Sequence, residues 1–330
     1  VWTNLTNAGT GDGSTTGVAG DYTITGLANG DTYRVEITRY FPRIWFSNTG
    51  DKNKIQSVVH WGDMEWASMD SAFYGAANLT IATEEAPNIV NVASLEHMFA
   101  DASALDYNFE NWDVSTITNM SHMLDNTALS PENYDSTLTG WANQATQSGV
   151  TLGAAGLKYC RDGFAVRQNL IDIKGWSFIG DVLCPPEIIS VSPIEDIVGA
   201  SIRKDIRIEF NIPVQGNALG SISFETSATQ DQVNITGTTI ESNILYIAHE
   251  ALSTSVAYTV ALPAGTVKNT NNDGSPSFSW EFTTSPFELG EGIVGDPYKI
   301  KTLTELDSVR NYHSSYFLLA NDIDASVTSG

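Results

Sequence analysis

The chain has 330 residues, of which 42% are hydrophobic, and this length suggests two or three domains with real cores. Its formal net charge is −23 with only 16 basic residues, so its acidic surface argues against nucleic-acid binding and against anionic membranes, whereas it is compatible with Ca²⁺. No run of about 18 apolar residues is present, which argues against membrane insertion.

The composition is typical of extracellular β-rich proteins, because Asn, Thr, Ser and Gly are abundant and Lys is scarce. No signal peptide is visible, and the chain starts at Val1 and stops on "ASVTSG" without a closed element. We therefore expect this chain to be part of a longer polypeptide.

Residues 1–47 read as an N-terminal β-hairpin cap. "DYTITGL" and "TYRVEITRY" alternate apolar and polar residues, and "ANGD" separates them as a turn. This hairpin would cover the open edge of whatever follows.

A repeat with a period near 25 residues occupies the next segment, residues 48–184. The stretches "WASMDSAFYGAANL", "VASLEHMFADASAL" and "ITNMSHMLDNTAL" align with one another. Their corresponding apolar positions are Met69, Leu95 and Met120, then Ala72, Met98 and Met123, then Phe73, Phe99 and Leu124.

This period predicts a short α/β solenoid, because one such coil cannot bury its apolar face unless neighbours stack on it. Within one coil, Asp113–Ile117 would be a short strand. Thr118 or Asn119 would cap a short helix that carries Met120 and Met123 inward.

The residues of this segment resemble the BspA-type leucine-rich-repeat surface proteins of bacteria. The resemblance rests on "NLTIATEEAPNIVNVASLEHMF", "NWDVSTITNMSHML" and "LTGWANQATQSGVTLGAAGLKYC", and it covers about residues 35–182. Leu124 stands where the pattern has Phe, and "SPENYDSTLTGWA" predicts an exit helix near Pro131 that caps the stack. The resemblance implies an extracellular bacterial location and an adhesive role.

The two cysteines, Cys160 and Cys184, are 24 positions apart. They could close one disulfide, or they could be two buried free thiols. The secreted-type composition favours the disulfide. A zinc site is not expected, because neither cysteine is in a CxxC pair and no His is near.

Residues 185–286 predict an Ig-like β-sandwich. Seven strand candidates follow "CPP" with turn residues between them, and inward-facing positions such as Ile208, Val260 and Trp280 alternate with polar ones. The order "VSP…IRIEFNIPV…YTVALPAGTVKN…WEFTT" resembles the bacterial Ig-like domains of surface proteins, which implies a spacer role.

Residues 287–330 predict a strand, a helix at "LTELDSVRNY" and another strand. "GDPYKIKTLTEL" and "YFLLANDID" resemble the start of the right-handed β-helical repeats of bacterial surface proteins. The expected fold class is therefore multidomain and β-rich, with a solenoid, a sandwich and a truncated β-helix-like segment in this order.

Candidate chemistry in the repeat comes from equivalent polar positions. His97 and His122, with Ser71 one coil earlier, would stack within roughly 5 Å, which suggests a metal pair or a nucleophile site, or simply a solvated face. Asp70 and Glu96 could flank a glycan, although solvent-facing acids are the simpler interpretation.

Three further kinds of site are predicted outside that set. Asp273, in the loop "NTNNDGS", could bind Ca²⁺ as a cofactor; a β-turn loop is the alternative. The indole rings of Trp61, Trp66 and Trp112 could bind sugars or proteins if exposed, or form core. The "DSA", "DST" and "DSV" tripeptides resemble a bacterial O-glycosylation acceptor, with the acceptor hydroxyls on Ser71, Ser136 and Ser308.

No catalytic constellation stands out, so the main hypothesis is non-enzymatic. It describes a fragment of a secreted bacterial surface adhesin or stalk, attached to the outer membrane by parts beyond this chain, whose partners are host or matrix proteins, glycans or other surface proteins. The alternatives are accessory modules of a secreted carbohydrate-active enzyme or protease, and a structural filament or secretion cargo. A catalytic domain elsewhere in the full-length reading frame would favour the former.

Overall fold

The computed structural model describes residues 1–18, 20, 22–195, 198–290, 292–324 and 326. The chain divides into two compact units, residues 1–182 and residues 183–330. It is rich in β-structure with few helices, as predicted. The strands are β1 Trp2–Asn4, β2 Tyr33–Val35, β3 Ser57–Val58, β4 Thr80–Ile81, β5 Thr151–Gly153, β6 Lys158–Tyr159, β7 Ser177–Ile179, β8 Val182–Leu183, β9 Ile188–Ser192, β10 Val198–Ala200, β11 Ile206–Phe210, β12 Gln215–Gly216, β13 Ser223–Thr226, β14 Ile235–Glu241, β15 Ile244–His249, β16 Ala257–Leu262, β17 Val267–Lys268, β18 Phe278–Thr284, β19 Tyr298–Ile300 and β20 Phe317–Leu319. The helices are α1 Pro131–Ala142, α2 Arg161–Lys174 and α3 Leu303–Ser308, with 3₁₀ turns at Lys52–Lys54, Leu219–Ser221 and Val309–Asn311.

The N-terminal pairing differs from the predicted hairpin. β1 pairs with β2 in antiparallel register, Trp2 opposite Val35, and the described residues of "DYTITGL", all but Asp21, form no strand. The predicted hairpin is therefore wrong. The reason is local: the amide of the buried Asn4 donates to Asp31 and to the Tyr33 hydroxyl, which holds β1 against β2.

Successive turns of the chain stack on one another through backbone hydrogen bonds. Phe73 N–H donates to the Met98 carbonyl over 2.8 Å, and Phe99 N–H donates to the Met123 carbonyl over 3.0 Å. These bonds join residues 25 and 24 positions apart, so the repeat seen in the sequence is a spatial one. We call this arrangement the turn stack; its hydrogen-bonded rungs are residues 46–48, 69–75, 95–101, 119–126, 151–157 and 177–182.

The predicted strand and helix within each coil are wrong. Residues 113–117 form turns and coil, and Met120 to Leu124 lie in a series of tight turns. The N–H groups of Met120 and Leu124 donate to Thr151 and Gly153 of the neighbouring rung, so they are not available for helical i→i−4 bonds.

The predicted helix at Pro131 is confirmed as α1, but it does not end the stack. Ser130 is its N-cap, and the Ser130 hydroxyl accepts from Asn133 N–H over 3.3 Å. Beyond α1, β5 continues the rungs. It pairs in parallel with β7, and α2 lies between these two strands in the chain. The helices therefore lie between rungs and do not interrupt the stack.

The core of the first unit is one column of apolar side chains. Met69, Leu95 and Met120 are fully buried in it, which confirms that the three aligned positions share one environment. The Phe73 and Phe99 rings stack in parallel with centroids 5.6 Å apart, one ring per rung. Each turn therefore covers the apolar side of its neighbour.

The second unit contains the predicted sandwich. Its two four-stranded sheets have the orders β10-β18-β16-β13 and β14-β15-β11-β9. Predicted inward positions such as Ile208, Val260 and Trp280 are buried, and the seven strand candidates occur, with "QVNIT" shifted into β14. The β11 pattern of alternating burial follows from its period of two.

The final segment contains the predicted strand, helix and strand. β19 and β20 pair in parallel, with Tyr298 opposite Phe317, and α3 connects them after a capping box of Thr302 and Glu305. Part of the predicted 287–330 domain lies outside the described residues. The β-helix assignment stays a prediction.

Candidate functional site: the outer corner of the turn stack

Each rung turns a corner at residues with left-handed backbone. Ser71, His97 and His122 occupy equivalent places with φ of 54°, 55° and 58°. A second left-handed residue follows four positions later in each, at Gly75, Asp101 and Asn126. Few L-residues other than Asn, Asp and His adopt this conformation readily, so the corner restricts which side chains it can present.

A polar ladder runs across the rungs beside this corner. The Asp70 carboxylate accepts from the Ser94 hydroxyl over 2.6 Å and from Glu96 N–H over 3.1 Å. Asn119 then donates its amide to Glu96 over 3.2 Å. Asp70 and Glu96 thus satisfy polar groups between rungs, and this hydrogen bonding accounts for them without a hydrolase role.

The two predicted histidines come together on the outer corner. The rings of His97 and His122 stack with centroids 4.6 Å apart and an interplanar angle of 22°, and Tyr74 adds a ring 5.1 Å from His97. His122 Nδ1 lies 2.6 Å from Asp125. Ser71 is held in the same ladder through its backbone, and its hydroxyl has no base partner in the described contacts, so the nucleophile hypothesis gains no support.

The predicted binding role of three tryptophans is wrong. Trp61, Trp66 and Trp112 are only 3%, 4% and 0% exposed. The Trp61 ring packs edge-on against Trp112 and Trp66, with ring centroids 5.4 Å and 6.3 Å apart. These large apolar rings at periodic positions are therefore part of the core. Their indole nitrogens are buried with the rings.

The predicted disulfide is confirmed, since Cys160 and Cys184 are the only cysteines and both are disulfide-bonded. Cys160 is also the N-cap residue of α2, and its side chain makes no capping bond. The Asp135 carboxylate, from α1, takes that role and accepts from Cys160 N–H over 3.0 Å. Burial raises the pKa of Asp135, although backbone hydrogen bonds from Cys160 and Gly163 oppose the rise.

Sequence reasoning missed a buried ion pair near that helix. The Arg167 guanidinium binds both oxygens of Asp181 at 2.7 and 2.9 Å and packs against the rings of Tyr159 and Phe178. Tyr134 donates its hydroxyl to Asp181, and burial, reinforced by the Asp181 charge, raises the pKa of Tyr134 well above its usual value. No spacing rule links these residues, because they meet only through the fold.

The Asp273 loop is organised by its own residues. Asn269, which is buried, accepts from the N–H groups of Asn271 and Asp273 and donates its amide to the Asp273 carboxylate over 2.9 Å. Within the ranges that the structure describes, no set of three or more His, Cys, Asp or Glu side chains is placed to hold a metal ion. The β-turn alternative describes this loop, and calcium binding by Asp273 stays a prediction.

The three predicted glycosylation serines have different surroundings. Ser136 lies in α1 between Asp135 and Thr137, both buried, and the Thr137 hydroxyl accepts from Phe109 N–H. Ser308 donates its hydroxyl to the Thr304 carbonyl within α3, and Ser71 is a half-buried corner residue. The "DST" tripeptide therefore has a structural explanation, while modification of the three hydroxyls stays a prediction.

Two parts of the chain match known families. Residues 184–284 match the model of a bacterial Ig-like domain. The predicted Ig-like segment is thereby confirmed. Residues 43–151 match a family described as a Mycoplasma protein of unknown function, DUF285. This match covers much of the turn stack, and assignment of the stack to the leucine-rich repeats stays a prediction.

Comparison with solved structures gives partial likenesses. The N-terminal part of the bacterial S-layer protein SbsC is 18% identical, with 30% of this chain and 23% of that chain covered and a TM-score of 0.25. CopC from Methylosinus trichosporium OB3b is 19% identical, covering 30% of this chain and 93% of that one, with a TM-score of 0.25. The S-layer protein rSbsC(31-844) is 12% identical, covering 47% and 18%, also with a TM-score of 0.25.

The matched part spans less than a quarter of either S-layer structure, and likenesses of this extent do not inform function. No curated protein matches the chain. In the part of the chain that the structure describes, no helix is both long and apolar enough to cross a bilayer.

Proposed function

We propose that the chain is a non-enzymatic segment of a bacterial cell-surface protein, in which the turn stack binds a partner and the Ig-like sandwich acts as a spacer. The observation that supports this most is the combination, in one chain, of a bacterial Ig-like match with a stack of turns whose apolar side chains are buried. A stack of this kind presents polar groups at equivalent places on its outer side, rung after rung, and repeated weak contacts raise avidity.

Two further features support an extracellular setting. A disulfide joins Cys160 and Cys184, and disulfides persist mainly in oxidising compartments. The net charge of −23 would keep such a segment soluble and would favour partners that carry positive charge. The proposed partner is a host or matrix protein or a glycan.

The test is a binding screen of the whole disulfide-bonded chain against immobilised matrix proteins and a glycan array. Any hit is then measured with the double variant E65Q/E110Q, which neutralises two exposed carboxylates in the segments that connect the rungs of the turn stack. The matched control is E225Q/E241Q, which removes the same charge from the sandwich. We expect at least a fivefold loss of affinity for the first variant and none for the control.

Two outcomes would contradict the proposal. If the folded chain binds nothing in the screen, a purely structural spacer or filament segment explains it better. If the sandwich variant loses binding and the turn-stack variant does not, the binding role belongs to the other unit.

A further inference from the structure

We propose that His97 and His122 form a two-histidine binding site for a divalent transition-metal cation of the Zn²⁺ or Cu²⁺ class on the outer corner of the turn stack. This inference is independent of the adhesive role proposed above. It rests on the placement of the two imidazoles, on the groups that face their Nδ1 atoms and on their access to solvent.

The backbone brings the two imidazoles together. His97 N–H donates to the Ser121 carbonyl over 3.0 Å, so the two histidines lie at the same place in adjacent rungs. Their φ angles of 55° and 58° are nearly equal, and therefore both side chains leave the backbone in the same direction. The result is the stacked pair with a 4.6 Å centroid separation.

A carboxylate faces the same nitrogen of each ring. Asp125 lies 2.6 Å from His122 Nδ1, and Glu96 lies 3.6 Å from His97 Nδ1. At 2.6 Å the Asp125 carboxylate can accept the Nδ1 proton of His122 and leave its Nε2 lone pair for a cation, which is the arrangement that surrounds histidine ligands in metal proteins. Glu96 is too far from His97 to fix its tautomer, so in that ring the bound cation itself would select the form with Nε2 as ligand.

The site is accessible and its residues can adjust. The side chains of His97 and His122 are 29% and 53% exposed. Two Zn–N bonds of 2.0–2.1 Å at a tetrahedral angle need nitrogens about 3.3 Å apart, so the stacked rings must tilt toward each other at their outer edges. Water would complete the coordination, because two imidazoles supply only part of it.

The chemistry of the donors selects the class of cation. Imidazole suits Zn²⁺, Cu²⁺ and Ni²⁺ better than Mg²⁺ or Ca²⁺, which prefer oxygen. The excess of 39 acidic over 16 basic residues raises the local concentration of any cation. By the Irving–Williams order, Cu²⁺ should bind more tightly than Zn²⁺.

The experiment is isothermal titration of the intact chain with ZnCl₂, for the wild type and the variants H97N, H122N and H60N. Asn adopts left-handed φ readily, and Asn126 already does so four positions after His122, so H97N and H122N should keep the fold. H60N is the matched control, because His60 also faces a carboxylate, Glu85 at 3.3 Å, but is not part of the stacked pair. Far-UV circular dichroism and thermal melting check each variant.

We expect one Zn²⁺ per chain in the wild type, with at least a tenfold loss of affinity in H97N and in H122N and no change in H60N. A competition titration should show tighter binding of Cu²⁺. Equal Zn²⁺ affinity in the wild type, H97N and H122N would overturn the proposal, and so would the absence of saturable binding. In either case the two rings would be stacked only because the rungs that carry them are adjacent.

Discussion

Asp135 shows how one side chain can serve two elements. It belongs to α1, yet its carboxylate accepts from the N–H of Cys160 at the start of α2. Such a bond satisfies a donor that the helix itself leaves unpaired and places negative charge at the positive end of the helix. The cost is burial of the carboxylate, which raises its pKa.

That pKa shift predicts a dependence of stability on pH. Because the pKa of Asp135 is higher in the folded chain, its stabilising contribution is complete below the unfolded value of about 3.9 and is lost as pH rises through the folded value. Asp135→Asn removes this titration. We expect the free energy of unfolding of D135N, relative to the wild type, to increase between pH 3.5 and pH 7 in urea denaturation.

The control for this experiment is Asp113→Asn, which should show the opposite sign. Hydrogen bonds from Ser115 lower the pKa of Asp113 in the folded chain, so its contribution is present above the unfolded value and lost in acid. D113N should therefore lose stability relative to the wild type as pH rises. A parallel response of the two variants would refute the assignment of Asp135 as a buried cap.

The Arg167–Asp181 pair gives a second prediction at this scale. The Asp181 side chain is 1% exposed, so removing its partner leaves a buried, unpaired charge. Arg167→Met should cost about 3–5 kcal/mol of unfolding free energy, and the double change R167M/D181N should recover most of that loss. Chemical denaturation of the two single variants and the double variant measures this; additive losses would show that the pair is not coupled.

The elements of the turn stack are held by close approach of backbones. A Cβ atom on Gly153 of β5 would lie 2.1 Å from the His122 nitrogen and 2.3 Å from its Cα. Only glycine lets these two rungs come so near. The Gly153 N–H also donates to the Met120 carbonyl, and the Gly153 carbonyl accepts from Leu124 N–H, so a shift there would affect both bonds to the neighbouring rung.

Gly153→Ala should therefore destabilise the chain by about 2–3 kcal/mol, through overpacking against backbone that cannot rotate away. Gly220→Ala is the control, because nothing lies within 4 Å of its added Cβ. G220A should be neutral or slightly stabilising, since it restricts the unfolded chain. Thermal unfolding of both variants checks this, and equal melting temperatures would contradict the close approach of the rungs.

Some of these elements could be predicted from sequence, and others could not. The burial of Met69, Leu95 and Met120 followed from their even spacing, and α1 followed from its Ser-Pro start. The corner at Met120 and Leu124 has helical apolar spacing, but it is a turn because its N–H groups bond to the next rung. Local periodicity does not reveal where a backbone donor finds its partner.

The site residues show the same division. The meeting of His97 and His122 was predictable, because equivalent positions in stacked coils must be neighbours. The burial of Trp61 and Trp112 was the simpler of two interpretations, and amino-acid type alone could not decide between them. No sequence pattern indicated that Asp135 caps α2, since α1 and α2 meet only after folding.

At the scale of the whole molecule, the disulfide closes a loop that contains α2. Its cysteines are 24 residues apart, and loop-closure entropy for that length corresponds to about 3.5 kcal/mol. Reduction with dithiothreitol, or the double change C160S/C184S, should lower the unfolding free energy by about this amount. A urea denaturation midpoint that does not respond to the reductant would contradict a stabilising role.

Helix α1 lies in the chain between two bonded rungs, and this has a practical consequence for comparing or re-engineering chains of this kind. The interval between bonded rungs is 24 to 26 residues early on and 31 between Met120 and Thr151, yet the ladder is unbroken. An excursion can therefore be spliced between two rungs without disturbing either, provided that both ends return to the same edge. A homologue should therefore be aligned in that region by its bonded rungs, with the length of chain between them left free.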